Sequence, residues 1–215
     1  MAVNQRRIKI VGVGPGSPDF ITPAARLAVE QSDLLIGAGH LLALFPDVQS
    51  ERLAVGRDVE AALSAITAAD PNRHVAVLVS GDPGLLSLAR LVLARFGREA
   101  CEVIPGVSSI QVAFARLGLE WGDAQIVDVH GRVPLLPAAT LAATDKAALM
   151  LGCARAGAWL EDVGTALRAS HRFIACERLT RLDEKIRELD ASELGGLASA
   201  RQTIVLAIRK ELLQT

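Results

Sequence analysis

Residues 11–22 read VGVGPGSPDFIT, and the way this stretch joins a short apolar run to a delayed helix decides the fold. Residues 8–13, IKIVGV, are mostly apolar and β-branched; even with Arg6 and Arg7 ahead of them they are too short for a secretory leader and read as a first strand. Thr22 followed by Pro23 supplies an N-cap and a proline at the first helical position, so a helix is expected over 23–31. Gly12, Gly14 and Gly16 between them permit positive φ or a close backbone approach to a ligand, or serve as a plain strand-to-helix connection. The spacing is G-x-G-x-G, with Ser17 where the dinucleotide fingerprint wants glycine. Pro15 lacks an N–H and the helix begins several residues downstream, so its amides cannot cradle a pyrophosphate here.

The alternation continues along the chain, as expected of parallel strands joined by crossover helices. Strands are expected at 34–37, 75–80 and 101–104, with 75–80 central because it is an almost unbroken apolar run. Helical character is expected at 59–69, 85–96 and from Ser108 or Ser109 to Arg116. Gly118, Trp121 and Gly122 interrupt the pattern at 117–123, which places a domain boundary there, between a first domain of 1–120 and a second of 121–215. The second repeats the alternation less cleanly, with strands at 125–129, 147–151, 172–175 and 203–208, helices at 158–169 and 182–189, and a Pro/Ala-rich loop at 134–143.

Two further turns follow expected strands. In 80–84, Ser-Gly-Asp-Pro-Gly, the Asp82 carboxylate is held between conformationally restricted residues; it could accept from a ribose or amino group, or cap the next helix. In 105–109, Pro-Gly-Val-Ser-Ser, Ser108 and Ser109 offer hydroxyls at a helix start. Turns that follow strands of one parallel sheet gather along one edge, which favours a shared pocket.

Composition narrows the function. The 215 residues are 51% hydrophobic, 22% charged and 3% aromatic with a formal net charge of −1, so the chain is globular and offers no basic stripe for nucleic acid. Cys101, Cys153 and Cys176 form no CxxC pair and read as reduced core thiols, and the four dispersed histidines show no zinc spacing, so no metal site is expected. The longest apolar region, 34–45, is too short to span a bilayer; no membrane partner and a cytoplasmic location are expected.

VGVGPGSPDFIT, LVSGDPG and IPGVSS, in that order and separation, closely resemble the motifs of the tetrapyrrole (corrin/porphyrin) methyltransferase family. The resemblance implies a two-domain α/β fold, a parallel-sheet N-terminal domain and a mixed-sheet C-terminal domain, with S-adenosylmethionine bound in an interdomain cleft, generally in a homodimer. Carried over by motif, it implies cofactor contacts at Pro15, Gly81, Asp82, Leu85, Ser108 and Ser109; matched by pattern alone, it adds Met150, Leu151 and Cys176 in the second domain. Gly14 and Gly16 would face the substrate.

The segment 127–132, VDVHGR, resembles the HGR element of the cobalt-precorrin C5-methyltransferases of cobalamin synthesis, and 176–179, CERL, their second-domain stretch. This implies a cobalt-precorrin or precorrin substrate ringed by carboxylates, for which His130 and Arg132 are the first binding candidates, ahead of Arg155, Arg178 and Arg181. If proton removal from the ring is assisted, Asp19, His130 or Glu177 could serve. A separate C15-methylating, decarboxylating partner protein is also implied. Another acceptor, whether uroporphyrinogen, a different corrin intermediate, diphthine or ribosomal RNA, remains an alternative, as does a non-catalytic cofactor-sensing domain.

Overall fold

The computed structural model describes residues 8–56 and 58–213, so Arg6 and Arg7 lie outside the described residues. The chain divides into two compact units, the first ending at Ser108 and the second beginning at Ser109.

The first unit runs β1 (Ile8–Gly12), α1 (Pro23–Glu30), β2 (Leu34–Gly37), α2 (Gly39–Leu42), β3 (Glu51–Ala54), α3 (Val59–Ala68), β4 (Val75–Val79), α4 (Ala89–Phe96) and β5 (Cys101–Ile104). The strands pair in parallel in the order β3-β2-β4-β1-β5, so β4 is central and all five of its residues are buried. Successive side chains leave a strand on opposite faces. Ile10, Ile36 and Val77 therefore pack with Ile66 of α3 and Val92 of α4, while Val11, Leu35 and Leu78 pack with Val29 of α1 and Leu41 of α2. The capping expected of α1 is present: Thr22 Oγ1 accepts from Ala25 N at 3.1 Å, with Pro23 leading the helix.

Two local expectations are corrected here. The helix expected from residue 85 starts at Ala89, because the intervening residues form bends, Leu86 has φ 49°, and Ser87 Oγ donates to Pro83 O at 2.5 Å. β3 was not expected; all four of its residues are exposed, so burial patterning carried no signal for it.

The second unit comprises α5 (Ser109–Arg116), β6 (Gln125–Asp128), β7 (Lys146–Met150), α6 (Gly157–Leu167), β8 (His171–Glu177), β9 (Lys185–Leu189) and β10 (Thr203–Arg209). Its sheet has the order β6-β7-β10-β8-β9 and is mixed: β6 and β7 are parallel, and the other pairs are antiparallel. Leu149, Phe173 and Val205 of the sheet pack with Leu160, Val163 and Leu167 of α6. Residues 134–143 are not a plain loop: Ala138–Ala143 is a 3₁₀ helix whose Leu141 is fully buried, and Trp159 Nε1 of α6 donates to Leu136 O at 2.8 Å. The helix expected over 182–189 is also corrected, since Lys185–Leu189 is the edge strand β9 paired with β8.

The division at Ser108 and Ser109 falls before the glycine-interrupted stretch 117–123, because α5 contacts β10 of the second unit. That stretch is tied to the second sheet as well. Lys146 Nζ, almost buried at the start of β7, donates to Glu120 O at 3.0 Å and lies 2.5 Å from Asp123 Oδ1. All three cysteines are buried and unbridged, and among the described residues no helix is long and apolar enough to cross a membrane.

Candidate active site

β1, β4 and β5 are adjacent and parallel, so the turns that follow them share the carboxyl edge of the first sheet, where ligands of open α/β folds bind. Their backbones interlock. Gly14 and Gly81 form an antiparallel bridge, with Gly81 N donating to Gly14 O at 2.8 Å and Gly14 N to Gly81 O at 3.4 Å. Gly14 and Gly81 hold φ of 78° and 68°, which side-chain-bearing residues avoid. A Cβ on Gly12 would stand 2.6 Å from Pro83 Cδ and 2.7 Å from both Gly106 N and Gly81 O. Gly106 is closed off in the same way by the carbonyls of Gly81 and Gly12. These glycines are therefore required by the packing of one turn on another, and Gly14 takes the positive φ that the sequence allowed it.

Asp82 is the fastener. Its Oδ1 accepts from Gly84 N at 2.8 Å and its Oδ2 from Gly106 N at 3.1 Å, so one carboxylate joins the second and third turns. It does not cap α4, which begins at Ala89 without a side-chain cap. A carboxylate has about four lone-pair sites, so half of its capacity remains. Leu85 N closes the turn onto Asp82 O at 3.2 Å, and Ser108 is buried next to Gly81, whose absent Cβ leaves 3.9 Å to Ser108 Cα. Pro15 and Gly16 are half-buried beyond the Gly14 bridge. Asp19 is exposed in the 3₁₀ turn Pro18–Phe20, where its Oδ2 accepts from Ser17 Oγ at 3.2 Å.

In the second unit the sheet register gathers the remaining candidates. Met150 and Cys176 both pair with Ile204, which puts the three side chains in one row across β7, β10 and β8. Leu151 N donates to Thr203 O at 3.0 Å and Thr203 pairs with Glu177 in the next row. His130 joins them: its Nδ1 lies 3.1 Å from Leu151 O, and a Cβ on Gly152 would meet that nitrogen at 2.6 Å. Asp128 holds the HGR segment from below, accepting from His130 N at 2.9 Å and lying 3.8 Å from Arg132 Nε, whose side chain stays largely in solvent. Ser109 opens α5 of this unit, and Ser108 ends the first.

The Cys176 side chain is poorly suited to acid–base work. Burial, followed by the nearby Glu184 charge, pushes the Cys176 thiol up to about 12, so it stays protonated and acts as packing. Glu177 lies 3.9 Å from Arg187 of β9, whose Nη1 donates to Glu193 Oε1 at 2.8 Å. A cavity of about 560 Å³ away from this edge is lined by Ser32, Asp33 and Glu51, which lie at the amino ends of β2 and β3, the opposite end of the sheet.

Comparison with known proteins matches this architecture. The cobalt-precorrin-7 C(5)-methyltransferase of Salmonella typhimurium is 38% identical over 125 residues, 58% of this chain and 62% of that protein. The chain thus spans about three fifths of the length of such relatives, the probable cobalt-precorrin-7 C(5)-methyltransferase of Methanocaldococcus jannaschii included, at 33% identity and 61% of its length. The crystal structure of a precorrin-6Y methylase from Archaeoglobus fulgidus superposes with a TM-score of 0.73 at 26% identity, covering 95% of this chain and 99% of that one. A uroporphyrin-III C-methyltransferase from Thermus thermophilus, solved with S-adenosylhomocysteine, shares the fold at a TM-score of 0.74 and 21% identity, over 94% and 92% of the two chains. The model of the tetrapyrrole (corrin/porphyrin) methylases covers residues 7–195, and the chain belongs to that family.

Proposed function

We propose that the chain is an S-adenosylmethionine-dependent C-methyltransferase acting at C5 of a cobalt-precorrin or precorrin macrocycle in cobalamin biosynthesis. The observation that carries the cofactor is the chemistry of the carboxyl edge: residues 12–18, 80–88 and 105–109 contain no lysine or arginine. α1 and α4 start well beyond the ends of β1 and β4, so neither helix presents its first amides to an anion at the first two turns. Such an edge suits a nucleoside that carries a positive sulfonium and no phosphate. Asp82 and Ser108 are the polar side chains placed to hold it, with Pro15, Gly81 and Leu85 shaping the surface, and Ser109, Met150, Leu151 and Cys176 belong to the same proposed set.

The cofactor supplies a methyl group already activated as a sulfonium. The protein's own task is then alignment, which the interlocked turns serve because they cannot shift independently. The acceptor is argued from the 38% identity to the Salmonella enzyme and from the HGR segment, where Arg132 offers a carboxylate a planar pair of donors and His130, whose Nδ1–H faces Leu151 O, stands beside it; Gly14 and Gly16 complete the proposed acceptor side. A homodimer, a separate C15-methylating partner and a cytoplasmic location go with this reading.

Calorimetry with S-adenosylhomocysteine tests the cofactor: binding is expected in the wild type and is weakened in Asp82→Ala, and a folded protein that binds none would refute the assignment. Incubating the protein with cobalt-precorrin-7 and labelled donor should add one methyl group by mass; transfer only to a different acceptor would overturn the C5 reading.

A further inference from the structure

A fourth strand end reaches the same edge. β2 lies beside β4 and parallel to it, and it ends at Gly37, where a Cβ would stand only 3.1 Å from Leu78 Cβ. The chain then turns at once into α2. Leu41 N and Leu42 N donate to Ala38 O at 2.8 and 3.1 Å, and both leucines are buried, so the backbone is pinned while His40 projects into solvent. From β2 the chain continues outward to β3, whereas from β4 it crosses β1 to reach β5. The β2/β4 pair is therefore a topological switch point, the place where open α/β sheets leave a crevice for ligand.

The carboxylates of the loops after β1, β3 and β4 each accept hydrogen bonds from their surroundings, and the remaining lone pairs of Asp82 are assigned to the cofactor. Asp19 accepts from Ser17 Oγ, Asp58 accepts from Ala61 N at 3.0 Å as the cap of α3, and Asp82 accepts from Gly84 and Gly106. His40 makes no hydrogen bond or ion pair with any described residue. Of the side chains that α2 packs near, those of β2 and β4 carry no charge, and Arg52 of β3 is spent on the carbonyls of Leu42, Phe45, Pro46 and Val48.

We propose that His40 is the proton acceptor of the methyl transfer; this rests on the reading of the chain as a methyltransferase. The π pair of the ring carbon forms the new carbon–carbon bond while the methyl–sulfur bond breaks and its electron pair stays on sulfur, leaving a neutral thioether. The macrocycle then carries one excess positive charge, which it discharges by losing a proton to an imidazole nitrogen of His40 and from there to water. The β2 end stands one strand spacing, about 5 Å, from the end of β4, so His40 and the Gly81 turn follow neighbouring strand ends of one edge.

The test compares the wild type with His40→Asn and His40→Ala, using cobalt-precorrin-7 and labelled S-adenosylmethionine. Both variants should keep the wild-type melting temperature, S-adenosylhomocysteine affinity and KM for the macrocycle, while kcat falls by about a hundredfold or more. Added imidazole should restore part of the rate in His40→Ala. Wild-type turnover in the variants, a raised KM with kcat unchanged, or a kcat loss that imidazole leaves untouched would each overturn the role of His40 and leave the methyltransferase reading standing. A wild type that binds no S-adenosylhomocysteine and transfers no methyl group would overturn both.

Discussion

Asp82 shows what a single side chain contributes at this edge, because its two oxygens satisfy amides from two different turns. Replacing it with alanine leaves the part-buried Gly106 N–H unpaired, and an unsatisfied buried donor costs about 1–3 kcal/mol. Asp82→Ala should lower the urea midpoint accordingly, and Asp82→Asn, which keeps one acceptor oxygen, should lose less. Gly12→Ala should be at least as harmful, since a methyl group there meets Pro83, Gly106 and Gly81 within 2.7 Å and none of these can move without the others. Overpacking of this kind costs about 1–3 kcal/mol, and the same variant should weaken S-adenosylhomocysteine binding in calorimetry. The DPG stretch announced a restrained carboxylate in the sequence. Its long-range partner was not legible, because Gly106 lies 24 residues away and is brought near only by the parallel pairing of β1 with β4 and β5.

β9 shows where the reading of elements failed. Leu182, Ile186 and Leu189 recur at helical spacing, yet Leu182 is fully exposed, Ile186 is exposed and only Leu189 is buried. The spacing therefore recorded no buried face, and the segment is organised by cross-strand charge: Arg172 to Glu188 at 3.5 Å and Glu177 to Arg187 at 3.9 Å. The residues just before β9 are held by Glu184, whose Oε1 and Oε2 accept from Arg116 Nε and Nη2 at 2.7 and 3.2 Å. The Arg116 hydrogen bond, aided by the Thr180 amide and opposed by partial burial, holds the Glu184 carboxyl below its ordinary range. A depressed folded-state pKa means stability present above the unfolded carboxylate's range and lost as the pH falls through the lowered value. Glu184→Gln should therefore destabilise the protein at neutral pH and flatten its acid-side loss of stability, read as melting temperature against pH. Arg116 is partly exposed, so the effect at neutral pH should stay near 1 kcal/mol or below.

At the scale of the whole molecule, each unit has its own five-stranded sheet and its own core, and the alternation of apolar runs with helical patterns announced four strands of each, missing the exposed edge strands β3 and β9. The join was harder to read, because Gly118 and Gly122 look like a break while the buried Lys146 binds that stretch to the second sheet. The two units also divide the proposed work, since the interlocked turns belong to the first and the HGR segment to the second. A ligand that binds only the folded state stabilises it by RT ln(1 + [L]/Kd), about 2.7 kcal/mol at a hundred times Kd. Amide hydrogen exchange can show where that energy is spent. If the cofactor is gripped by the strand-end turns, saturating S-adenosylhomocysteine should slow exchange most at Gly14, Gly81, Gly84 and Gly106, whose amides sit on those turns, and far less in the β8–β9 edge of the second sheet. Protection spread evenly over both sheets would report global stabilisation without a localised grip, and protection confined to the second unit would move the cofactor to the Met150–Ile204–Cys176 row.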